Sequence, residues 1–230
     1  MILRMPISIG LSAAINFPLQ LSVNIDRVIV FLNRYTNVQI IHEQMTKQMT
    51  TSEQYDRVVS DCRNTFLKKT ADYGTSWRVY RTISITDQIY IKAKRIRTIQ
   101  EKKQQKIGDG IRSEFEGILN YAIIGLIQLS MGHDEREQLP VSEVEKSYDE
   151  KVTAAKSLMM DKNHDYGEAW RDMSQESFTD LILAKLLRIK QIIANEGVTM
   201  VSEGIDANYF DILNYAVFAL ILIGEGKQSN

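Results

Sequence analysis

The chain has 230 residues, 44% of them apolar and 25% charged, with a formal net charge of −1. That balance belongs to a globular protein able to bury a core, and it argues against disorder, a fibrous repeat and the broad basic surface that non-specific nucleic-acid binding needs. A single cysteine, Cys62, rules out an intramolecular disulfide and a thiolate metal site, and fits a reducing, cytoplasmic compartment.

The chain opens on "MILRMPISIGLSAAINFPLQLSV", whose early arginine and apolar middle could mimic a secretory signal. Pro6, Asn16, Pro18 and Gln20 interrupt the apolar run, and this stretch has no counterpart later in the chain. Residues 1–44 are therefore read as an N-terminal extension outside the domain, with translation from Met45 or Met49 as the attendant expectation. Residues 45–135 and 136–230 are read as two helical repeats.

The repeat is visible in "ADYGTSWR" at residues 71–78 and "HDYGEAWR" at residues 164–171, a spacing of 93 residues from Asp72 to Asp165. The likeness runs on through "SITD" and "SFTD", then "IKAKRI" and "LAKLLRI", and finally "DGIRSEFEGILNYAIIGLIQL" and "EGIDANYFDILNYAVFALILI", now spaced by 94. A unit of roughly 80 residues is an internal duplication of one supersecondary element.

Three helices are predicted in each unit. The first spans about Thr51 to Ala71, where Tyr55, Val58, Val59, Cys62, Phe66 and Leu67 keep helical spacing. Its equivalent starts at a capping-box pattern, Ser142 and Glu145, just after Pro140, and Gly74 and Gly167 close the pair. The middle helices start at the Ser-x-x-Asp boxes of Ser84 and Ser177 and run to about Glu101 and Asn195, with Gly197 as a stop. The third helices start near Ile111 and Ile205 and are apolar on more than one face, which suits the centre of a bundle. Their apolar runs, "YAIIGLIQL" and "YAVFALILIG", reach about half of the ~20 residues that span a membrane, so no membrane segment is expected. The fold expected is all-α, two tandem three-helix repeats packed as one pseudo-twofold bundle.

The duplicated polar and aromatic residues are the candidates for function. Trp77 and Trp170 suit an anchor for the turn or, less well, a stacking surface for a base; Tyr73 and Tyr166 carry the same two readings. Arg78 and Arg171, with Lys92, Arg95, Lys185 and Arg188, form a repeated cationic set able to hold phosphate or an internal carboxylate. Asp87 and Asp180 fit capping better than catalysis. Asp72 and Asp165 at the turns are candidates for metal or water contact. Asn120 and Asn214 lie in apolar helices, where an amide needs partners; with Glu114, Glu116 and Asp211 they also offer the hard oxygen ligands magnesium prefers. His42, His133 and His164 have no metal-ligand spacing, and no phosphate-cradling glycine loop or GxSxG elbow is present.

The repeated "DYGxxWR", "DQIYIKAKRIR" and "ILNYA" resemble the nucleotide modification associated domain family of bacterial and phage proteins, over residues 51–223. The resemblance implies association with systems that alter nucleotides or DNA bases. A more distant likeness is to the all-helical nucleoside triphosphate pyrophosphohydrolases of the MazG kind, which hold magnesium through Glu-x-x-Glu and Glu-x-x-Asp. Glu114 matches the first acidic place of the latter motif and Asp211 the second. Gly117 and Asn208 stand where the other acids would be, and no Glu-x-x-Glu precedes either, so a complete set would need Glu114 and Asp211 to meet across the pseudo-twofold axis.

Together these features imply a nucleotide-binding protein, with magnesium-dependent phosphohydrolysis or another nucleotide modification as its chemistry. A small-molecule nucleotide is the expected partner, and a homo-oligomer is compatible with the sequence. The competing expectation is a non-enzymatic helical interaction protein in which the same residues fix turns, caps and the seam between copies.

Overall fold

The computed structural model describes residues 49–229 apart from 107 and 202, so the expectations for residues 1–44 lie outside the described residues. Among the described residues the α-helices are α1 (Thr51–Tyr73), α2 (Thr82–Lys102), α3 (Ile111–Met131), α4 (Val141–Tyr166), α5 (Gln175–Ala194) and α6 (Ile205–Gly224). Short 3-10 turns at Ser76–Val79 and Ala169–Asp172 join the first helix of each copy to the second. No strand occurs among the described residues.

Local chemistry sets the ends of α1. Thr50 accepts from the Glu53 amide at 3.3 Å, and the Glu53 carboxylate accepts from the Thr50 amide at 2.7 Å. This reciprocal box satisfies two amides that a helix start leaves without partners. At the other end Gly74 and its repeat Gly167 adopt φ of 68° and 60°, and their amides close onto the carbonyls of Thr70 and Asn163 at 2.9 Å. A residue free to enter this region ends a helix at little cost, which is why "DYG" recurs.

Three expected caps are not used. The chain re-enters a helix immediately after each 3-10 turn, so α2 starts at Thr82, and α5 at Gln175, where Ser174 accepts from the Ser177 amide at 3.2 Å. Ser84 and Ser177 thereby fall inside first turns, and Asp87 and Asp180 lie further along their helices. There they pair between copies, Asp87 with Lys190 at 2.7 Å and Asp180 with Arg97. Likewise α4 starts behind Pro140 with no side-chain cap, and Glu145 instead pairs with Arg63 at 2.6 Å.

The helices pack with the symmetry the repeat predicts. α3 lies along α6 at the centre, α2 meets α5, and α1 meets α4, while α2 rests on α3 as α5 rests on α6. The result is a pseudo-twofold bundle of two tandem three-helix repeats. Gly125 brings the central pair together: a Cβ there would meet the Tyr209 ring at 2.8 Å. By length and composition α6 is apolar enough to cross a membrane, but 78% of that stretch is buried inside the bundle. Its all-round apolar surface is used by the core.

Two asparagines join the copies. Asn120 donates to the Cys62 carbonyl at 3.2 Å and accepts from the Tyr148 hydroxyl at 2.9 Å. Asn214 donates to the Ala155 carbonyl at 3.1 Å and accepts from the Tyr55 hydroxyl at 3.0 Å. Each amide thus binds the first helix of its own copy through nitrogen and that of the other copy through oxygen. Burial of the two phenols, Tyr55 first by desolvation, raises both above the ordinary tyrosine range, so they act as hydroxyl donors. Removing one asparagine strands a buried hydroxyl and a carbonyl. Asn214→Ala is expected to cost roughly 2 to 4 kcal/mol in urea denaturation; a loss of only a few tenths would contradict the network.

Candidate functional site

The arginines of the duplicated turns are absorbed by the fold. Arg78 donates Nε to the Arg136 carbonyl at 2.9 Å and its two terminal nitrogens to Gln128 and the Asp134 carbonyl. Gln128 returns its amide to the carbonyls of Arg78 and Tyr80, each at 3.1 Å. The turn of the first copy is in this way tied to the loop that leads into α4. Arg171 does the converse, donating to Gln54 at 2.8 Å and to Thr51 at the start of α1, and pairing with Glu168 at 2.6 Å and Glu225 at 3.2 Å. Each arginine therefore clamps its own turn to the entry of the other copy's first helix. Their donors are engaged with protein oxygens rather than facing a ligand.

A cavity of about 480 Å³ opens in the first copy, between the C-terminal half of α1, its turn, α2 and α3. It brings together residues of three kinds that the sequence singled out: the aromatics Tyr73 at the end of α1 and Trp77 in the turn, the cation Lys92 from α2, and the acids Glu114 and Glu116 from α3. Lys69, which the sequence reading passed over, joins them as an exposed ammonium. Tyr73 is 57% exposed and Trp77 is 6% exposed, with an indole N–H that has no partner among the described residues.

The charges around this cavity are organised by Glu114, which is 8% exposed. Arg95 pairs with it, and Lys92 lies at 3.3 Å. Arg95 also donates to the Asp109 carbonyl at 2.8 Å, which fixes the guanidinium. Glu116 is neutralised one turn away by Arg112 at 2.9 Å. Burial, with Glu116 nearby, pushes the Cys62 thiol up to about 12, so it is a core group rather than a nucleophile.

The second copy holds larger or more apolar groups at the matching positions. Asp211 replaces Gly117, and its carboxylate is gripped by Lys162 at 2.6 Å and Lys185 at 2.5 Å, the counterparts of Lys69 and Lys92. Phe218 replaces Ile124 and stacks on Trp170 with ring centroids 4.3 Å apart, while Arg171 lies 4.4 Å from the same indole. Where the first copy lines its cavity with Thr65, Ser76, Tyr80, Ser113 and Glu116, the second has Leu158, Ala169, Met173, Ala207 and Phe210. The repeat is symmetric in its scaffold and asymmetric in this region.

The remaining candidates are dispersed. Arg188, the counterpart of Arg95, faces Asn208 where the first copy has Glu114, and it is exposed. Asp72 and Asp165 are exposed at the ends of α1 and α4, Asp165 beside His164 at 3.1 Å, and Tyr166 is 73% exposed. Glu114 and Asp211 are each paired inside their own copy. Among the described residues no three His, Cys, Asp or Glu side chains gather as a metal cluster.

Arg78→Ala leaves Gln128 and two loop carbonyls short of a donor and should lower stability by roughly 2 kcal/mol in thermal or urea denaturation. For Asp211, burial alone would raise the carboxyl, yet its hydrogen bonds with Lys162 and Lys185 hold it below the ordinary range. Its contribution is thus complete above the unfolded carboxylate value of about 4 and is lost as pH falls through the lowered folded value. Asp211→Asn should cost roughly 1 to 3 kcal/mol near neutrality and flatten the acid arm of the stability profile. A variant profile parallel to that of the parent would contradict the assignment.

No curated protein and no solved structure matches the chain. A family profile described as nucleotide modification associated domain 1 matches residues 69–129 and again residues 162–223, the end of the first helix through the third helix of each copy. The two matched segments together cover more than half of the sequence, and they coincide with the repeat seen in the fold. The chain belongs to the nucleotide modification associated domain 1 family and carries that domain as two tandem copies.

Proposed function

We propose that the protein binds a nucleotide, and that it does so in the cavity of its first copy. The observation that carries this reading is the asymmetry between copies: aromatic, cationic and acidic groups line one cavity in the first, whereas in the second Asp211 pairs with Lys162 and Lys185 and Trp170 stacks on Phe218. The volume falls within the range of about 300 to 1,000 Å³ common for small-ligand sites. Tyr73 offers a partly exposed ring for a base, Lys69 and Lys92 offer ammonium groups for phosphate, and the Glu114 and Glu116 carboxylates can accept from sugar hydroxyls or base amino groups. Membership of a family named for nucleotide modification supports the same reading.

The proposal is of binding. Magnesium-dependent hydrolysis calls for acids free to hold the metal, whereas Glu114 is shared by Lys92 and Arg95 and Glu116 is paired with Arg112. On this reading magnesium arrives on the phosphates of the ligand.

Calorimetric titration with nucleoside mono-, di- and triphosphates, with and without magnesium, tests this. Binding is expected for the parent protein and about tenfold weaker binding for Tyr73→Ala, in keeping with the ~1 to 3 kcal/mol of a stacked base, while Tyr166→Ala binds as the parent does. Equal losses in both variants, or no binding of any nucleotide, would contradict the proposal.

A further inference from the structure

The second copy contains an anion at a place where the first has none. Asp211 is 6% exposed, and its two carboxylate oxygens are divided between Lys162 and Lys185. Both lysines are present in the first copy, as Lys69 and Lys92, and line the same cavity, but the residue matching Asp211 is Gly117. Lys69 has no ion-pair partner among the described residues, and Lys92 lies over the glycine, where an added Cβ would meet its Cε at 2.8 Å and its Nζ at 3.1 Å. From that position its ammonium reaches Glu114 at 3.3 Å, the longer of the two contacts that carboxylate makes with cations.

We infer that Lys69 and Lys92, over Gly117, form the seat for a phosphate group of the ligand, at the place that Asp211 fills from within the protein in the second copy. This rests on the reading of the first-copy cavity as the binding site and specifies which of its residues hold the charge. Two points of charge balance support it. Lys92 can turn from Glu114 to an entering anion without isolating that buried carboxylate, because Arg95 stays paired with it. Glu116 does not repel the anion as a free charge would, since Arg112 neutralises it. A tetrahedral phosphate, with three oxygens available to donors, suits two flexible ammonium groups and the indole N–H of Trp77, which has no partner among the described residues.

The shared chemistry is a phosphate group, and its source can be a nucleotide or inorganic phosphate. The test is calorimetric titration of inorganic phosphate alone, a nucleoside monophosphate, and the corresponding nucleoside into the parent protein, Gly117→Asp and Lys69→Met. Gly117→Asp installs in the first copy the carboxylate of the second, displacing only the flexible end of Lys92. Lys69 is exposed, so Lys69→Met preserves the fold if Gly117→Asp does not. The expected result is weak binding of inorganic phosphate by the parent, loss of that binding in both variants, and at least tenfold weaker nucleoside monophosphate binding with nucleoside binding unchanged. Monophosphate affinity equal to that of the parent in both variants would overturn the seat while leaving nucleotide binding in place. Inorganic phosphate bound by the parent and lost in the variants, with no nucleotide or nucleoside bound, would support the seat and overturn the nucleotide reading instead.

Discussion

Everything in the bundle depends on two asparagine side chains that must be satisfied inside an apolar core. Asn120 and Asn214 are placed in the two most hydrophobic helices among the described residues, where a bare amide would be costly. Each solves this by donating to its own copy and accepting from a tyrosine of the other. Neither copy can meet its hydrogen-bonding needs alone, so the two repeats form one domain. The cross-copy ion pairs of Asp87 and Asp180 and the clamps of Arg78 and Arg171 follow the same logic further from the centre, binding each unit to its twin.

Such a scaffold frees one half to diverge. Once stability is shared, the interior of the second copy can be closed with Asp211 and Phe218 while the first keeps Gly117 and Ile124, and the packing of α3 on α6 is preserved. Opposite needs are met by equivalent positions. In the second copy two lysines share one carboxylate from the central helix. In the first the acid stands one turn earlier, at Glu114, and is held by Arg95 and Lys92, which leaves Lys69 to the cavity. The same charge set therefore joins both counterpart lysines to one acid in the second unit, whereas in the first Lys69 has no ion-pair partner among the described residues.

The duplication, the three helices per unit, their central third member and the glycines that end α1 and α4 were all legible in the sequence, because helical spacing and positive-φ stops are local signals. The caps were less legible. Ser-x-x-Asp and Ser-x-x-Glu have the right spacing, but the 3-10 turns deliver the chain into α2 and α5 earlier, and Pro140 opens α4, so those acids serve distant partners. Tyr55 was readable only as an apolar position, since the use of its hydroxyl depends on a helix 159 residues away in sequence. Arg78 and Arg171 recur for a structural reason that no spacing rule contains: their acceptors are mostly backbone carbonyls in one case and side chains in the other, two of them on α1. Lys69 and Lys162 did carry a signal, the same 93-residue repeat as the octapeptide that starts two residues later, but the approach of Lys162 to Asp211 requires the fold.

We propose that the two copies share a fold and divide their roles, one holding a ligand and the other holding its own substitute for it. A crystal structure of the protein soaked with a nucleoside monophosphate addresses this most directly. The account predicts one ligand per chain, with its phosphate between Lys69 and Lys92 and Asp211 still paired with Lys162 and Lys185. Density for a nucleotide in the second copy, or a phosphate in the first bound away from those two lysines, would contradict it.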